Sequence, residues 1–459
     1  MKKVREKEQK ALAGSQQATT RVARRGEPKI GVEEFMSVAE RFGLSKSTLK
    51  QIRAIVAKED WGEGPFFANY YSPLKETKVQ AFQRAARELF KVKFALGTSS
   101  GTGALHSAMV AAGVGPGTEV ICPAIGFFAT SASVVTSGGV PIFCDVDHSL
   151  HMDPKKLEAL ITPRTVAIAP THVMGGVCDM DPIMKIARKH KLVVIEDCAQ
   201  SCGATYKGKP VGTIGDIGIF SIAAYKIVGA GEGGLLISND KHLFDRANAL
   251  AECGGLWRPE RFALPRYEGE IYCGSNYRMS ELEAAVDVVQ MRKMPAMIKR
   301  FRAVKKNMAK YLKTYREILP QKSNEPQGEI GYLLRFFPET FELGERLVKS
   351  LQKAGIACGM RGKNAGPDWH IYSYMYPVML KTKATEHGCA FHCPHYAAKG
   401  GNVEYARGDC PVADDLFDRV ININLNQWYS AADCKDLATR MNAVFSSCCT
   451  EDKSGAPWL

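Results

Sequence analysis

The chain has 459 residues, of which 45 % are apolar and 24 % charged, and its formal net charge is +13. That length suits two or three domains rather than one, and the apolar share can bury a core without crosslinks or metals. No run of 18 apolar residues occurs, which argues against a membrane span; the basic excess favours anionic partners such as phosphates, nucleotides or acidic sugars, while no DNA- or RNA-recognition motif is present.

Residues 1 to about 30 read as a basic, disordered tail, with Lys2, Lys3, Arg5, Lys7, Lys10, Arg21, Arg24 and Arg25 against only Glu6 and Glu8. Arg24-Arg25 is not followed by the apolar run of a twin-arginine signal, since Gly26-Glu27-Pro28-Lys29 stands there. The 14 cysteines are irregularly spaced with no secretory signal before them, so reduced thiols in a cytoplasm are expected. Val32 to Ala57 has a helical pattern with Ser45 as an N-cap. Residues 58–75 form a Gly-, Pro- and Tyr-rich loop, and a helix follows over about 75–91.

Short apolar runs then alternate with helical stretches. The strands fall at Phe94–Leu96, Glu119–Ile121, Val140–Cys144, Val166–Ala169, Leu192–Ile195, Ile217–Ser221 and Gly234–Ser238. Continuous apolar runs suit strands covered on both faces, and the alternation argues for an α/β fold around a mainly parallel seven-stranded sheet. A long helix, about Arg278–Tyr315, leads to a smaller α+β region. There Tyr332–Phe336 and Val420–Asn424 read as strands, and Glu342–Ala354 and Ser430–Phe445 as helices. The expected division is a large α/β domain over 31–300 with an N-terminal helical arm, a small C-terminal α+β domain over 301–446, and a tail over 447–459.

Three segments carry chemistry. Val193-Val194-Ile195-Glu196-Asp197 is a buried strand ending in two acids, and an acid at the carboxyl end of a parallel strand points into the crevice where such sheets bind ligands; a helix cap is the plainer reading. Phe220-Ser221 ends another strand, and Lys226 follows in a loop that continues Gly229-Ala230-Gly231-Glu232-Gly233-Gly234. A lysine amine, with an ordinary pKa of about 10.4, becomes a nucleophile for Schiff-base chemistry when burial or positive charge lowers that value. The bland alternative is a surface lysine in a turn. Leu96-Gly97-Thr98-Ser99-Ser100-Gly101-Thr102-Gly103 is a strand followed by a small-residue turn opening a helix, an arrangement whose free N–H groups bind phosphate.

In this order the segments resemble the DegT/DnrJ/EryC1/StrS aminotransferases, the sugar-aminotransferase branch of the fold-type-I pyridoxal-phosphate (PLP) enzymes. The resemblance spans about residues 35–445. It rests on Ser100-Gly101-Thr102, Asp197-Cys198-Ala199-Gln200, Gly203-Ala204-Thr205-Tyr206-Lys207-Gly208, Phe220-Ser221 with Lys226, Gly231-Glu232-Gly233-Gly234, and Gly274-Ser275-Asn276-Tyr277-Arg278-Met279. It implies that PLP is carried on Lys226, which then moves the substrate proton, and that Asp197 pairs with the pyridinium nitrogen. It further implies that Gln200 lies near the phenolic oxygen, that Gly101, Thr102 and Ser221 hold the phosphate, and that Phe127 stacks on the ring. Asn276 matches a residue that reaches the phosphate of a neighbouring subunit, so a homodimer with shared active sites is expected.

The implied reaction moves an amino group from glutamate or glutamine to a keto sugar, nucleotide-linked or acidic. A sugar dehydratase on the same scaffold and a non-catalytic PLP- or sugar-binding regulator are the alternatives; Lys226 stands where the dehydratases carry histidine. Gly126, Ile222-Ala223-Ala224-Tyr225 and Cys253-Gly254-Gly255 depart from the family's usual residues around the substrate. Trp369 and His370 are candidates to line the sugar site. His172 matches a family histidine near the cofactor, with structural hydrogen bonding as its alternative role. The run Cys389-x-x-His392-Cys393-x-His395 fits no common zinc spacing, and no metal is expected.

Overall fold

The computed structural model describes residues 28–69, 72, 74–255, 264–386 and 390–459; most of the basic tail (residues 1–27) and Cys389 lie outside them. The chain divides after Phe67 into two compact units. In the first, α1 (Val32–Glu40) and α2 (Lys46–Val56) pack on one another, and Glu33 of α1 binds Arg53 of α2 through both carboxylate oxygens. The helical pattern over 32–57 is thus two helices. Gly43, at φ +70°, turns the chain between them, and the Ser45 hydroxyl caps α2 by accepting from Thr48 N–H at 3.2 Å.

The second unit opens with α3 (Lys78–Phe90), whose Thr77 and Gln80 form a reciprocal capping box. Seven strands follow: β1 (Phe94–Thr98), β2 (Glu119–Pro123), β3 (Val140–Cys144), β4 (Thr165–Ile168), β5 (Val193–Asp197), β6 (Ile217–Ser221) and β7 (Gly234–Ser238). All seven expected strands are present, within two residues of their expected ends, in one sheet of order β1-β7-β6-β5-β4-β2-β3. Neighbours are parallel except at β7, which runs against both β1 and β6. The link from β6 to β7 (residues 222–233) holds no helix to carry the chain back across the sheet, so the two strands pair as an antiparallel hairpin.

Both faces of this sheet are covered, which is why its strands are apolar throughout rather than alternating. Ile195, Ile217, Ile219 and Leu236 point to one face and pack with α4 (Gly101–Ala111) and α7 (Lys241–Ala251). Val194, Phe220, Leu235 and Ile237 point to the other and pack with α3, α6 (Met180–His190) and the start of α8 (Glu281–Tyr311). A fifth helix, α5 (Ala129–Thr136), lies beside α4.

Helix α8 packs against α3 in its first half and against α11 (Ala431–Ser446) in its second. It leads into a four-stranded antiparallel sheet of order β8-β9-β11-β10, made of β8 (Ile318–Pro320), β9 (Leu333–Pro338), β10 (Cys358–Met360) and β11 (Ile421–Asn424). The ladder pairs Leu333 with Asn424, Leu334 with Ile423, Arg335 with Asn422 and Phe336 with Ile421. Leu334, Phe336, Ile421 and Ile423 form one face, buried with α9 (Phe341–Lys353) and α11, while α10 (Pro411–Arg419) leads into β11; Leu333, Arg335, Asn422 and Asn424 form the other. Residues 447–459, expected as a tail, pack back here. Trp458 is buried against Phe445, and its Nε1 donates to the Lys313 carbonyl at 2.9 Å.

Every cysteine among the described residues is a free thiol. Among those residues no helix is long and apolar enough to cross a membrane.

Candidate active site

The register of the large sheet lines up the ends of its strands. Thr98 stands opposite Gly234, Gly234 opposite Ser221, Ile219 beside Asp197, and Asp197 bridges Thr171. The carboxyl ends of β1, β6, β5 and β4 therefore form one edge, the position at which such sheets bind ligands. Gly234 admits the close crossing of the turn before α4: an added Cβ would lie 2.2 Å from the Ser100 carbonyl oxygen.

At this edge Ser100 caps α4. Its Oγ accepts from Gly103 N–H at 2.9 Å and its carbonyl from Ala104 N–H at 3.1 Å. Gly101 and Thr102 keep their amides without a protein acceptor among the described residues, as first-turn groups do. Ser221 sits against this helix start, since an added Cβ on Gly101 would fall 2.9 Å from Ser221 Cβ. Two free N–H groups, a hydroxyl and the positive end of an eleven-residue helix make a cradle for phosphate.

Asp197 ends β5 in full burial. Its Oδ2 accepts from Thr130 Oγ1 at 2.6 Å and its Oδ1 from Ala199 N–H at 3.0 Å. Burial pushes its carboxyl above the usual range, opposed by these two donors and by the charge of Lys226. Lys226 shows the complementary effect: burial lowers its pKa, with Asp197 pulling the other way. Among the described residues Lys226 has no ion-pair partner; its Nζ lies 5.1 Å from the ring centre of the exposed Tyr225. Gln200 gives its Oε1 to Met174 N–H at 2.8 Å, which leaves its amide Nε2 as a donor.

Lys226, Gln200 and His370 share the wall of a cavity of about 540 Å³ with Met174, Tyr332 and Asn424, a size typical of small-molecule sites. His370 reaches this wall because residues 125–128 pair with 369–371: Gly126 N–H donates to the His370 carbonyl and Phe128 N–H to the Trp369 carbonyl, each at 2.9 Å. The Phe127 ring lies 5.2 Å from the His370 ring, and His370 Nδ1 lies 2.8 Å from Asp368 Oδ1, itself held by Arg361. Trp369 packs edge-on against Phe128 and is not part of the cavity wall. Asn276 also lies away from that wall, exposed on an extended segment bridged to Glu252.

His172 is fully buried and uses both ring nitrogens within the protein. Cys178 N–H donates to Nδ1 at 3.1 Å, so the neutral ring carries its proton on Nε2 and donates it to Glu196 Oε2, also at 3.1 Å. Glu196 further accepts from the backbone of Gly212, Ile214 and Gly215 at 2.6–2.9 Å. Among the described residues, His172, Glu196 and Cys198 are the one group with metal-ligand spacing, but the histidine and the acid are already committed to these hydrogen bonds. Sequence reading did not find Thr130, which lies 67 residues from Asp197, nor the contributions of Tyr332 and Asn424; no local pattern marks them.

The cradle, the buried acid, the amine without a counter-ion and the free Gln200 donor fit an aldehyde cofactor bearing a phosphate and a basic ring nitrogen. Residues 73–364 match the model of the DegT/DnrJ/EryC1/StrS aminotransferase family. The chain is 38 % identical over 286 residues to GDP-perosamine synthase of Caulobacter vibrioides, covering 61 % of this chain and 74 % of that one. It is 35 % identical over 296 residues to the pleiotropic regulatory protein of Geobacillus stearothermophilus, covering 64 % and 74 %. Among solved structures it is similar to an aminotransferase from Psychrobacter cryohalolentis, with TM-score 0.65, 28 % identity, and coverage of 83 % and 93 %.

Proposed function

Because the chain belongs to the DegT/DnrJ/EryC1/StrS aminotransferase family, we propose that it holds PLP on Lys226 and moves an amino group from glutamate or glutamine to a keto sugar, nucleotide-linked or acidic. The observation that carries this reading is the pairing of Lys226, a part-buried amine with no ion-pair partner among the described residues, with a hydrogen-bonded carboxylate, Asp197, within its electrostatic reach.

When bound, PLP supplies an aldehyde that takes up and returns the amino group and a ring that spreads the negative charge left at the reacting carbon. This chain's residues do the rest. Lys226 Nζ accepts and returns the proton at that carbon, and burial favours the neutral amine this needs. Asp197 holds the ring nitrogen protonated, while Thr130 and Ala199 hold the carboxylate ionised and oriented. Gly101, Thr102 and Ser221 bind the phosphate, Gln200 Nε2 donates to the phenolic oxygen, and Phe127 covers the ring. His370, braced by Asp368, faces the sugar with Trp369 beside it. Asn276, exposed here, completes the phosphate site of a second copy, so the working form is a homodimer; a cytoplasmic setting suits its free thiols.

The similarity to the pleiotropic regulatory protein keeps a PLP-binding regulator as the second reading. One experiment separates them. Purified protein with PLP should turn yellow, and borohydride should fix the cofactor to Lys226 as read by peptide mass. In a separate, unreduced sample glutamate should discharge the colour, and a keto-sugar acceptor should restore it. Absence of the adduct rejects the PLP reading. An adduct whose unreduced, coloured form no amino donor discharges supports the regulator.

A further inference from the structure

The second buried cation near the cavity is Arg335, on the cavity-facing side of the small sheet. It is 5 % exposed, and among the described residues no carboxylate lies within ion-pair distance. Its Nη1 meets only the Met174 thioether, at 3.3 Å, and its Nε has no partner. The acid whose field reaches it, Glu329, is already bonded to Lys305 Nζ at 2.5 Å and Ser323 Oγ at 2.6 Å. Directly across the ladder, on the same face, the buried Asn422 Oδ1 also has no partner among the described residues. A sulfur is a weak acceptor and does not offset a desolvated guanidinium.

Location gives this cation its use. Met174 links Arg335 to the cavity: it touches the guanidinium and lines the same wall as Lys226, a wall to which Arg335 itself does not belong. Asn424, two residues from Asn422 and on the same sheet face, is another part of that wall. Beyond Asn422, the next residue across the ladder is Gly359, where an added Cβ would meet nothing within 4 Å. Met174 itself is held in a left-handed backbone conformation, φ +48°, with its N–H tied to Gln200, strain of the kind that gathers at ligand sites.

We propose that Arg335 and Asn422 form a carboxylate subsite behind the Met174 wall of the cavity that Lys226 lines. The planar fork of Arg335 takes the carboxylate, and Asn422 Oδ1 takes an adjacent N–H or O–H of the same ligand. Two ligands offer that chemistry: the α-carboxylate of the amino donor, or the carboxylate of an acidic sugar. The assignment of these two sources rests on the amino-transfer reading; the anion site itself does not.

The test uses PLP-treated full-length protein and glutarate as the probe, with the uncharged diamide glutaramide as control. Glutarate should raise the unfolding temperature of the wild type and the diamide should not. Arg335→Met should abolish the response without lowering the starting temperature, since it removes an uncompensated charge. Asn422→Asp should abolish it as well, by supplying an internal carboxylate, and covers the case in which the methionine variant fails to fold. In turnover, Arg335→Met should raise one KM by about 100-fold or more with little change in kcat. A rise in the donor KM assigns the subsite to the amino acid, and a rise in the acceptor KM assigns it to the sugar. A wild-type glutarate response retained in both variants, or neither KM moving, overturns the proposal. If the wild type forms no borohydride adduct, the amino-transfer reading fails while the glutarate response still judges the anion site.

Discussion

Asp197 and Asp287 are both buried aspartates, 2 % and 0 % exposed, and burial raises the pKa of both. They differ in what surrounds them. Asp197 receives two hydrogen bonds and lies in the field of Lys226. Asp287, on α8, has no hydrogen bond on either oxygen among the described residues, and the charge that acts on it is another acid, Glu283, one turn earlier. Burial with only like charges nearby therefore makes an acid hold its proton, pushed up to about 8 at Asp287 and about 7 at Glu283. Donors and a nearby cation are what make a buried carboxyl a usable anion. The proposed site is built on an aspartate of the first kind, and Asp287 is of the second.

The sharpest way to break the comparison is to remove its cation. Lys226→Ala should cut amino transfer by about 10⁴-fold or more, since one group carries both the covalent and the proton-moving role. The fold should hold, because Lys226 is not in the apolar core and forms no ion pair among the described residues. Retention of turnover would remove Lys226 from the mechanism. Asp197→Asn comes next. The amide keeps the size and an acceptor oxygen but loses the charge, so kcat should fall by roughly 10²–10³-fold while cofactor binding weakens less. A loss confined to KM would mean that the acid only binds.

These two residues were legible before the structure because each stands in a contiguous motif on a strand end or in the loop that follows it. The seven strands were legible for a related reason: a sheet covered on both faces leaves unbroken apolar runs. What was hidden lay in pairs distant along the chain or in elements too short to have a period. Strands β8 and β10, Ile318–Pro320 and Cys358–Met360, are three residues each. Glu283 and Asp287 look like ordinary polar positions of an amphipathic helix until Gly233 is found packed on the first of them, its hypothetical Cβ 2.6 Å from Glu283 Oε1. Arg335 sits in an apolar strand with nothing in its neighbourhood to suggest that it lacks a counter-ion.

Asp287 gives a test on stability instead of turnover. An unfolded aspartate releases its proton near pH 3.9, whereas the folded one holds it to about pH 8. Between those values the native state binds more protons than the unfolded state, so stability contributed by this site is whole below about pH 4 and drains away as the pH rises through 8. Asp287→Asn should flatten that decline and stabilise the protein by roughly 2–3 kcal/mol more at pH 9 than at pH 6, read from denaturant midpoints at the two pH values. Equal midpoint shifts at the two pH values would show that Asp287 is ionised throughout.

The smallest effect probes the donor side of the comparison. Thr130 is the side chain that holds Asp197 down against burial. Thr130→Val keeps the β-branched shape but removes the hydroxyl, so the Asp197 carboxyl should move further up and its ionised fraction at low pH should fall. The acid limb of kcat/KM against pH should shift upward, with a loss of about 5- to 10-fold below neutrality, the size of one ordinary hydrogen bond, shrinking as the pH rises and the carboxyl ionises without help. A loss of the same size at every pH would mean that Thr130 positions Asp197 and leaves its ionisation alone. In that case Ala199 N–H and the Lys226 charge are together enough to keep the carboxylate ionised.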